Sequence, residues 1–233
     1  VWGDYWYGYL DNLAVGGKII ERLTAWVPQH PIAVSNTTAD RLTELGVPRS
    51  EIEVVPNGID NDQVQSAPLP ADSGVDSYDI LFAGRLIEDK RVDVLLEAFD
   101  QVAGEHDVKL GIIGDGPEKE HLEAQATTLT HSDRVTFEGF LESYDDVLGH
   151  MRAADIFASP STREGFGITY AEAMAAGCTV IGADHPESAA NEVIGDIGFV
   201  TDPIADSVAA ALEEILASDK PGINPTDRAQ EYD

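Results

Sequence analysis

From Asp79 onward, six short apolar runs alternate with segments of helical periodicity. The runs lie at 80–83, 108–113, 134–138, 155–158, 178–182 and 198–200. The first segment between them carries Val92, Leu95, Leu96 and Phe99, the i, i+3, i+4, i+7 spacing of an amphipathic helix. Strands that are apolar on both faces and alternate with helices require a parallel sheet covered on both sides. The sequence therefore predicts an α/β fold, a doubly wound parallel sheet of the Rossmann-like kind.

Changes in sequence texture divide the chain into four parts. Residues 79–218 hold the alternating pattern, and residues 219–233 follow it as a tail. Residues 61–78 lack periodicity and contain Pro68, Pro70 and Gly74, which predicts a linker. The first part, 1–60, is expected to hold an aromatic cluster at 2–9, one amphipathic helix around 19–26, strands at 32–34 and 52–55, and a helix from about 35 to 45.

The charge balance excludes one class of partner. The chain has 43 acidic and 14 basic residues, a formal net charge of −29, so nucleic acid held by charge is excluded and anionic lipid surfaces are disfavoured. At molar salt the Debye length is roughly 3 Å, which would screen the self-repulsion of such a surface. We expect a protein from a halophile with a salty cytoplasm, with an ordinary acidic cytosolic protein as the alternative. A single cysteine, Cys178, permits no intramolecular disulfide and is expected to be a small buried residue.

Ligands of doubly wound sheets bind beyond the carboxyl ends of the strands, so the loops there are the candidates for a site. The first loop, 84–91, holds three of the 14 basic residues, namely Arg85, Lys90 and Arg91. Beside a helix N-terminus these side chains favour an anion site. The alternative is that Arg85 and Lys90 form surface salt bridges with Glu88 and Asp89. A second loop, Gly-Asp-Gly-Pro at 114–117, is a weaker candidate for direct ligand contact.

The loop after the fourth predicted strand is the most informative. It contains Glu164 and leads into a helix predicted to start near Ile168, which carries Glu172 one turn in. Both carboxylates can therefore converge beside the free N–H groups of 166–168. Carboxylates accept hydrogen bonds from vicinal hydroxyls, whereas backbone N–H groups and basic side chains bind phosphate. This combination favours a nucleotide-sugar, with acidic residues that merely offset the helix dipole as the alternative.

Several motifs together resemble those of retaining glycosyltransferases with the GT-B fold, the large family 4 or group 1. The motifs are Ile-Leu-Phe-Ala-Gly-Arg-Leu at 80–86, Ile-Ile-Gly-Asp-Gly-Pro at 112–117, Val-Thr-Phe-Glu-Gly-Phe at 135–140, Ala-Asp-Ile-Phe-Ala-Ser-Pro-Ser at 154–161 and Glu-x7-Glu at 164–172. Upstream, Ile-Ala-Val-Ser at 32–35 and Val-Pro-Asn-Gly-Ile-Asp at 55–60 resemble the segment that joins the family's two domains. The chain departs from the family after Ala183, where His-Pro-Glu-Ser at 185–188 replaces a common glycine pair.

The resemblance implies a role for each site residue. Arg85 and Lys90 would hold the donor diphosphate, Glu172 the ribose hydroxyls and Glu164 the hydroxyls of the donor sugar. Catalysis would then rest on Glu164, Arg85 and Lys90. The segment around Phe140 would line the base pocket, largely through backbone atoms. The full donor-binding set is Gly84, Arg85, Lys90, Gly139, Phe140, Glu164, Phe166, Gly167, Ile168 and Glu172.

The resemblance also sets expectations for cofactors and partners. No metal and no other cofactor is expected, because the nucleotide-sugar is a substrate and the basic pair with the helix end neutralises its diphosphate. Residues 1–60 would be a remnant of the acceptor-side domain, 79–218 the nucleotide-sugar-binding domain and 219–233 the start of a tail that crosses back. The acceptor, a glycan or a lipid, would bind through the missing domain, so we expect this chain to bind donor but to be inactive alone.

Two other functions stay open at this point. One is a GT-B sugar-nucleotide epimerase, which needs carboxylates and a histidine arranged differently from Glu-x7-Glu. The other is a sugar-nucleotide-binding module without transfer activity. No apolar run reaches membrane-spanning length, so no membrane span is expected. The single cysteine fits a reducing compartment, and a cytoplasmic protein is expected. Peripheral association of the full-length protein with the inner face of the membrane is left open. The aromatic cluster at 2–9 is expected to pack in the core of the missing domain or in the interdomain cleft, with an acceptor or membrane contact as the alternative.

Overall fold

The computed structural model describes residues 20, 23–24, 27, 30–70, 77–217 and 225–233. The strands of these residues are β1 Ile32–Ala33, β2 Glu53–Val54, β3 Ile80–Ala83, β4 Leu110–Ile113, β5 Val135–Gly139, β6 Ile156–Ser159, β7 Thr179–Ala183 and β8 Phe199–Thr201. The α-helices are α1 Asn36–Glu44, α2 Asn61–Ser66, α3 Val92–Val102, α4 Lys119–Ala126, α5 Tyr144–Ala153, α6 Ile168–Ala176, α7 Ala190–Ile194, α8 Ala205–Ala217 and α9 Pro225–Ala229. The aromatic cluster predicted at 2–9 and most of the helix predicted at 19–26 lie outside the described residues.

The six predicted strands form one sheet in the order β5-β4-β3-β6-β7-β8, and every neighbouring pair is parallel. Strand β3 lies at its centre, with Ile80 opposite Leu110 on one side and Ile156 on the other. Every residue of β3, β4, β6 and β7 is buried, whereas the edge strands β5 and β8 are partly exposed. The predicted doubly wound parallel sheet is therefore confirmed.

Helices cover both faces of this sheet. Alternate residues of each strand point to opposite sides, so each strand contributes side chains to both cores. On one face Ile80 and Phe82 pack in a core with residues of α3, α4 and α8. On the other face Leu81 and Ala83 pack with residues of α5, α6 and α7. The chain leaves β3 toward one face through α3 and leaves β6 toward the other through α6. The carboxyl ends of β3 and β6 therefore flank the switch point of the sheet.

A smaller parallel pair precedes this sheet. Strands β1 and β2 pair with Ile32 opposite Glu53, and α1 covers them with a core of Ala33, Ala39, Leu42, Val47 and Ile52. The Oγ of Ser35 caps α1 by accepting a hydrogen bond from the N–H of Thr38, as the predicted helix start requires. Both predicted strands and the helix between them are confirmed.

The structure differs from the linker predicted at 61–78. Residues 61–66 form α2, which Asp60 caps by accepting from the N–H of Gln63 and which buries Val64 against α5 and α6. A six-residue helix with one apolar contact residue has no periodicity to detect, which explains the difference. Residues 71–76 of this segment lie outside the described part.

The last described residues return to the junction between the two sheets. The N–H of Ile59 donates to the carbonyl oxygen of Tyr232 at 2.8 Å, and the N–H of Asn61 donates to Asp233 Oδ1 at 3.4 Å. Arg228, at the end of α9, donates to the carbonyl oxygen of Glu192 at 2.7 Å. These contacts tie residues 225–233 to both parts of the chain. Within the described ranges, no helix is long and apolar enough to span a bilayer.

Candidate functional site

Three loops meet at the switch point, and backbone hydrogen bonds hold them together. The N–H of Leu86, in the loop after β3, donates to the carbonyl oxygen of Asp115, in the loop after β4, at 2.9 Å. The N–H of Thr162, in the loop after β6, donates to the carbonyl oxygen of Asp89 at 2.9 Å. The structure thus brings the three loops selected from the sequence into one surface.

Glycine in the second loop is required by packing. A Cβ on Gly114 would lie 1.8 Å from the carbonyl oxygen of Gly84, and a Cβ on Gly116 would lie 2.2 Å from that of Leu86. Gly114 also has a φ of +139°, which L-residues rarely adopt. The two glycines therefore let the second loop pass against the first, so their presence needs no ligand to explain it.

Lys90 and Glu164 join the first loop to the third. The Nζ of Lys90 donates to Glu164 Oε1 in an ion pair whose side chains are 20% and 11% exposed. Lys90 therefore does not pair with Glu88 or Asp89, as the salt-bridge alternative required. The contact places a cation and a carboxylate, both predicted to contact the donor, side by side.

The other basic residues of these loops differ in their partners. Arg91 pairs with Asp93 at 3.1 Å, and Arg163 pairs with Asp89 at 3.1 Å and Glu187 at 3.5 Å. The side chain of Arg85 is exposed and makes no ion pair or hydrogen bond with any residue that the structure describes. Arg85 is therefore available to an anionic ligand, whereas Arg91 is engaged within the protein.

Glu172 lies one turn inside α6 and is buried, with 6% of the residue exposed. The hydroxyl of Tyr144 approaches both carboxylate oxygens, at 2.7 Å from Oε1 and 2.6 Å from Oε2. Burial raises the pKa of Glu172 above its ordinary value, and the hydrogen bond from Tyr144 partly offsets that rise. Burial and the neighbouring carboxylate also raise the pKa of Tyr144. The sequence interpretation missed Tyr144, and the only signal was an aromatic residue at the start of a helix.

The N-terminus of α6 offers backbone donors between the two glutamates. Gly167 caps the helix with a φ of +80°, and a Cβ there would meet the ring of Tyr170 at 2.5 Å. In the part of the chain that the structure describes, the N–H groups of residues 166–169 have no acceptor. The ring of Phe166 is buried and packs edge-to-face with the ring of Tyr232, with 5.3 Å between the ring centroids. Only the backbone of Phe166 is therefore available to a ligand. Together with the helix dipole, these donors suit an anion.

The predicted base-pocket segment ends β5. Gly139 has a φ of +75°, and its carbonyl oxygen accepts from the N–H of Gly114 at 2.8 Å, which joins this segment to the second loop. Phe140 follows with 74% of its surface exposed. An exposed aromatic ring beside the site is available to stack on a ligand.

The part of the chain formed by β1, β2 and α1 contacts the third loop directly, a contact that the sequence did not predict. The hydroxyls of Ser35 and Thr38 donate to the carbonyl oxygen of Gly165 at 2.6 Å and 3.0 Å. A polar cavity of about 260 Å³ lies between α1 and the loops at 163–165 and 186–187, and Glu164 and Glu187 line it. The backbone of Glu164 also pairs with the loop at 187–189, where the chain departs from the family pattern.

Two further expectations concern metal and cysteine. Among the described residues, no group of three or more His, Cys, Asp or Glu side chains is placed to hold a metal ion. Independence from metal stays a prediction, since no ligand set here tests it. Cys178 is buried, as predicted, and burial raises the pKa of its thiol to about 12.

Comparison with known proteins agrees with this architecture. The family model described as glycosyl transferases group 1 matches residues 70–232, and the model described as glycosyltransferase family 4 matches residues 2–63. Among solved structures, HepE from Anabaena in complex with UDP-glucose matches with a TM-score of 0.78 at 23% identity, over 93% of this chain and 62% of that one. WaaG, described as a glycosyltransferase of lipopolysaccharide biosynthesis, matches with a TM-score of 0.78 at 20% identity, over 96% and 64%. These two likenesses concern the fold.

Curated relatives are more similar in sequence. The alpha-monoglucosyldiacylglycerol synthase of Streptococcus pneumoniae is 31% identical over 200 residues, which cover 80% of this chain and 44% of the relative. The phosphatidyl-myo-inositol mannosyltransferase of Mycolicibacterium smegmatis is 36% identical over 196 residues, 81% of this chain and 48% of the relative. The chain thus spans about half the length of these relatives. On the family model and these identities, the chain belongs to the group 1 glycosyl transferases.

Proposed function

We propose that the chain carries the donor site of a glycosyltransferase that moves a sugar from a nucleoside diphosphate sugar to an acceptor, with retention of anomeric configuration. One observation carries the proposal. Glu164 precedes the N-terminus of α6 and contacts Lys90, and Glu172 lies one turn inside this helix. Among the described residues, the N–H groups of 166–168 between them have no acceptor, and Arg85 is exposed in the same loop as Lys90. The two carboxylates can accept hydrogen bonds from hydroxyl groups, and the N–H groups between them can donate to an anion. This order matches a molecule in which a diphosphate joins a sugar to a ribose.

Each residue has a part in this reaction. Glu172 would accept hydrogen bonds from the ribose and Glu164 from the transferred sugar. When the bond between the anomeric carbon and the diphosphate breaks, negative charge grows on the diphosphate. Arg85, Lys90 and the N–H groups at 166–168 would stabilise that charge without a metal ion. The Lys90–Glu164 contact would place the group that binds the diphosphate next to the group that accepts hydrogen bonds from the sugar.

The names of similar proteins support this donor class. The matching Anabaena structures are described as complexes with UDP and with UDP-glucose. A Mycobacterium tuberculosis relative, 31% identical over 198 residues, is named a GDP-mannose-dependent mannosyltransferase that acts on a phosphatidylinositol mannoside. We therefore propose UDP- or GDP-hexose as the donor and a glycan or lipid as the acceptor. Because several relatives are named for lipid products, we also propose peripheral membrane contact for the full-length protein.

Isothermal titration calorimetry with UDP-glucose and GDP-mannose tests the donor site. Arg85→Ala and Glu172→Ala should each weaken binding at least about tenfold, since each removes a charged hydrogen-bonding group. Lys109→Ala and Glu105→Ala are matched controls, because both residues are exposed and lie away from the loops of the site. If neither nucleotide-sugar binds, or if the site variants bind like the controls, the proposal fails.

Catalysis needs a separate test, because a binding module without transfer activity would share this site. The full-length enzyme should release UDP or GDP in the presence of acceptor, and its Glu164→Gln variant should do so much more slowly. NMR of the product gives the anomeric configuration. An epimerase is not favoured, because the family model that matches residues 70–232 is that of glycosyl transferases.

A further inference from the structure

Tyr144 occupies the carboxylate that the proposed function assigns to the ribose. Its single phenolic O–H lies 2.7 Å and 2.6 Å from the two oxygens of Glu172. One hydrogen is therefore shared between two acceptors, which leaves each with less than a full hydrogen bond. Two vicinal hydroxyls would supply one donor to each oxygen.

A donor at this position is needed in the unliganded protein. Glu172 is buried, and a buried carboxylate without a hydrogen-bond donor is strongly disfavoured. In the described part of the chain, the phenol of Tyr144 is the side-chain donor that reaches this carboxylate. Tyr144 thus satisfies Glu172 while no nucleotide is bound.

Tyr144 is also free to leave. It is the first residue of α5, and 49% of it is exposed. Its hydroxyl makes no other hydrogen bond with the residues described, so moving it into water breaks no hydrogen bond except that with Glu172. Water can then satisfy the phenol.

We propose that Tyr144 is a placeholder for the ribose: its hydroxyl holds the Glu172 carboxylate in the unliganded protein and gives way to the ribose hydroxyls when nucleotide binds. The inference rests on the proposed function, in which Glu172 binds ribose. Tyr144 is a positioning residue in this scheme, and it sets the affinity for nucleotide by competing with it. The competition applies to the ribose alone, so it does not depend on the base or on the transferred sugar.

The test compares wild type with Tyr144→Phe by calorimetry, using whichever of UDP and GDP the wild type binds more tightly. The phenylalanine keeps the ring and removes the competing hydroxyl, so the variant should bind that nucleotide on the order of tenfold more tightly. With the 2′,3′-dideoxy form of the same nucleotide, which cannot replace the phenol, the two proteins should agree within about twofold. Equal or weaker binding of the ordinary nucleotide by Tyr144→Phe would overturn the placeholder role.

The failure of this inference differs from that of the proposed function. If wild type binds neither UDP nor GDP, the donor site itself is wrong. If wild type binds and Tyr144→Phe shows no gain, the donor site stands and the placeholder is wrong. A second measurement uses only the wild-type protein and so does not depend on the folding of the variant. In NMR with ¹³C at the Cζ atoms of its seven tyrosines, nucleotide should shift the signal of Tyr144, and the dideoxy form should not. Equal shifts with both nucleotides would contradict the proposal.

Discussion

The ammonium group of Lys90 donates to the carboxylate of Glu164, although the two residues lie 74 positions apart. The contact joins the loop after β3 to the loop after β6 across the switch point of the sheet. Because both side chains are mostly shielded from water, the pair is less screened than a surface pair. It therefore holds the two loops of the site together.

A double-mutant cycle measures this stabilisation. Lys90→Met and Glu164→Gln should each lower the free energy of unfolding by about 1–2 kcal/mol, because each leaves a partly buried polar partner behind. The double variant should lose less than the sum, with a coupling of about 1 kcal/mol in urea denaturation. The more exposed pair of Arg91 and Asp93 is the control and should couple by less than about 0.5 kcal/mol. Strict additivity at Lys90 and Glu164 would contradict the pairing.

Gly114 should tolerate alanine far less than Gly177. Both have positive φ, +139° and +96°, so alanine strains the backbone at both positions. At Gly177 a Cβ meets no atom within 4 Å, and the cost should be about 1–2 kcal/mol. At Gly114 the Cβ would lie 1.8 Å from the carbonyl oxygen of Gly84, which adds a shift of the first loop and about 1–3 kcal/mol. Equal losses in thermal denaturation of the two variants would refute the close approach.

The parallel sheet could be predicted from the sequence for a physical reason. A strand buried on both faces must be apolar at consecutive positions, so the run at 80–83 coincides with β3 and the run at 108–113 contains β4. The positions of Glu164 and Glu172 followed in the same way, from a strand end and a helix start. The helix does begin at Ile168, where it was predicted.

Contacts between distant side chains could not be predicted in this way. Tyr144 meets Glu172 across 28 positions, and Glu192 meets Thr37 across 155. Periodicity fixes which face of an element is apolar, but it does not say which polar side chains of separate elements will meet. Helix α2 was not predicted for a different reason: Val64 is its only buried residue, so its sequence shows no apolar periodicity. The missed features are thus short elements and long-range polar contacts.

The carboxylate of Glu192, in α7, caps the N-terminus of α1. Its carboxylate accepts from the N–H and side chain of Asn36 at 2.8 Å and 3.0 Å, and from those of Thr37 at 2.7 Å each. Glu192→Ala should therefore lower the free energy of unfolding by about 1–2 kcal/mol near neutral pH. Glu105→Ala, at an exposed position, is the matched control.

The pH dependence gives this contact a signature. Burial favours a higher pKa for Glu192, but the hydrogen bonds from Thr37 and Asn36 outweigh it and lower the pKa below the ordinary 4.5. A lowered folded-state pKa contributes stability that is fully present above 4.5 and is lost as the pH falls through the folded value. The difference between wild type and Glu192→Ala in denaturation should thus shrink in acid. A difference that is constant with pH would show that the carboxylate charge has no part in the contact.

The excess of acidic residues predicts a dependence on salt. With 43 acidic and 14 basic residues, the folded chain repels itself, and salt should screen that repulsion. We expect the thermal midpoint to rise from dilute buffer to molar KCl, as in a protein adapted to a salty cytoplasm. A titration with sucrose separates charge screening from general stabilisation by excluded solutes. A midpoint that does not rise with KCl, or rises equally with sucrose, would contradict a halophilic adaptation.

The affinity for nucleotide-sugar should fall in acid because of Glu172. Burial raises the pKa of this carboxyl above its ordinary 4.5, with the Tyr144 hydrogen bond as a smaller opposing effect. The charged form is the better acceptor for ribose hydroxyls, so binding should weaken as the pH falls through the raised pKa. In the unliganded protein the sign is opposite: Glu172 favours folding when protonated, and its contribution is lost as the pH rises from 4.5 through the raised value.

The experiment measures the affinity for a nucleotide-sugar from neutral to acid pH. The diphosphate of this ligand is esterified at both ends, so its charge stays constant over this pH range. Free UDP or GDP would instead gain a proton near pH 6, about the second pKa of a phosphate monoester. Calorimetry across this range should give a falling affinity for wild type toward acid. Glu172→Gln should bind more weakly at neutral pH but with little dependence on pH, because the amide does not titrate. If Glu172→Gln followed the wild-type profile, the titrating group would be another residue, and the assignment of Glu172 to the ribose would lose its support.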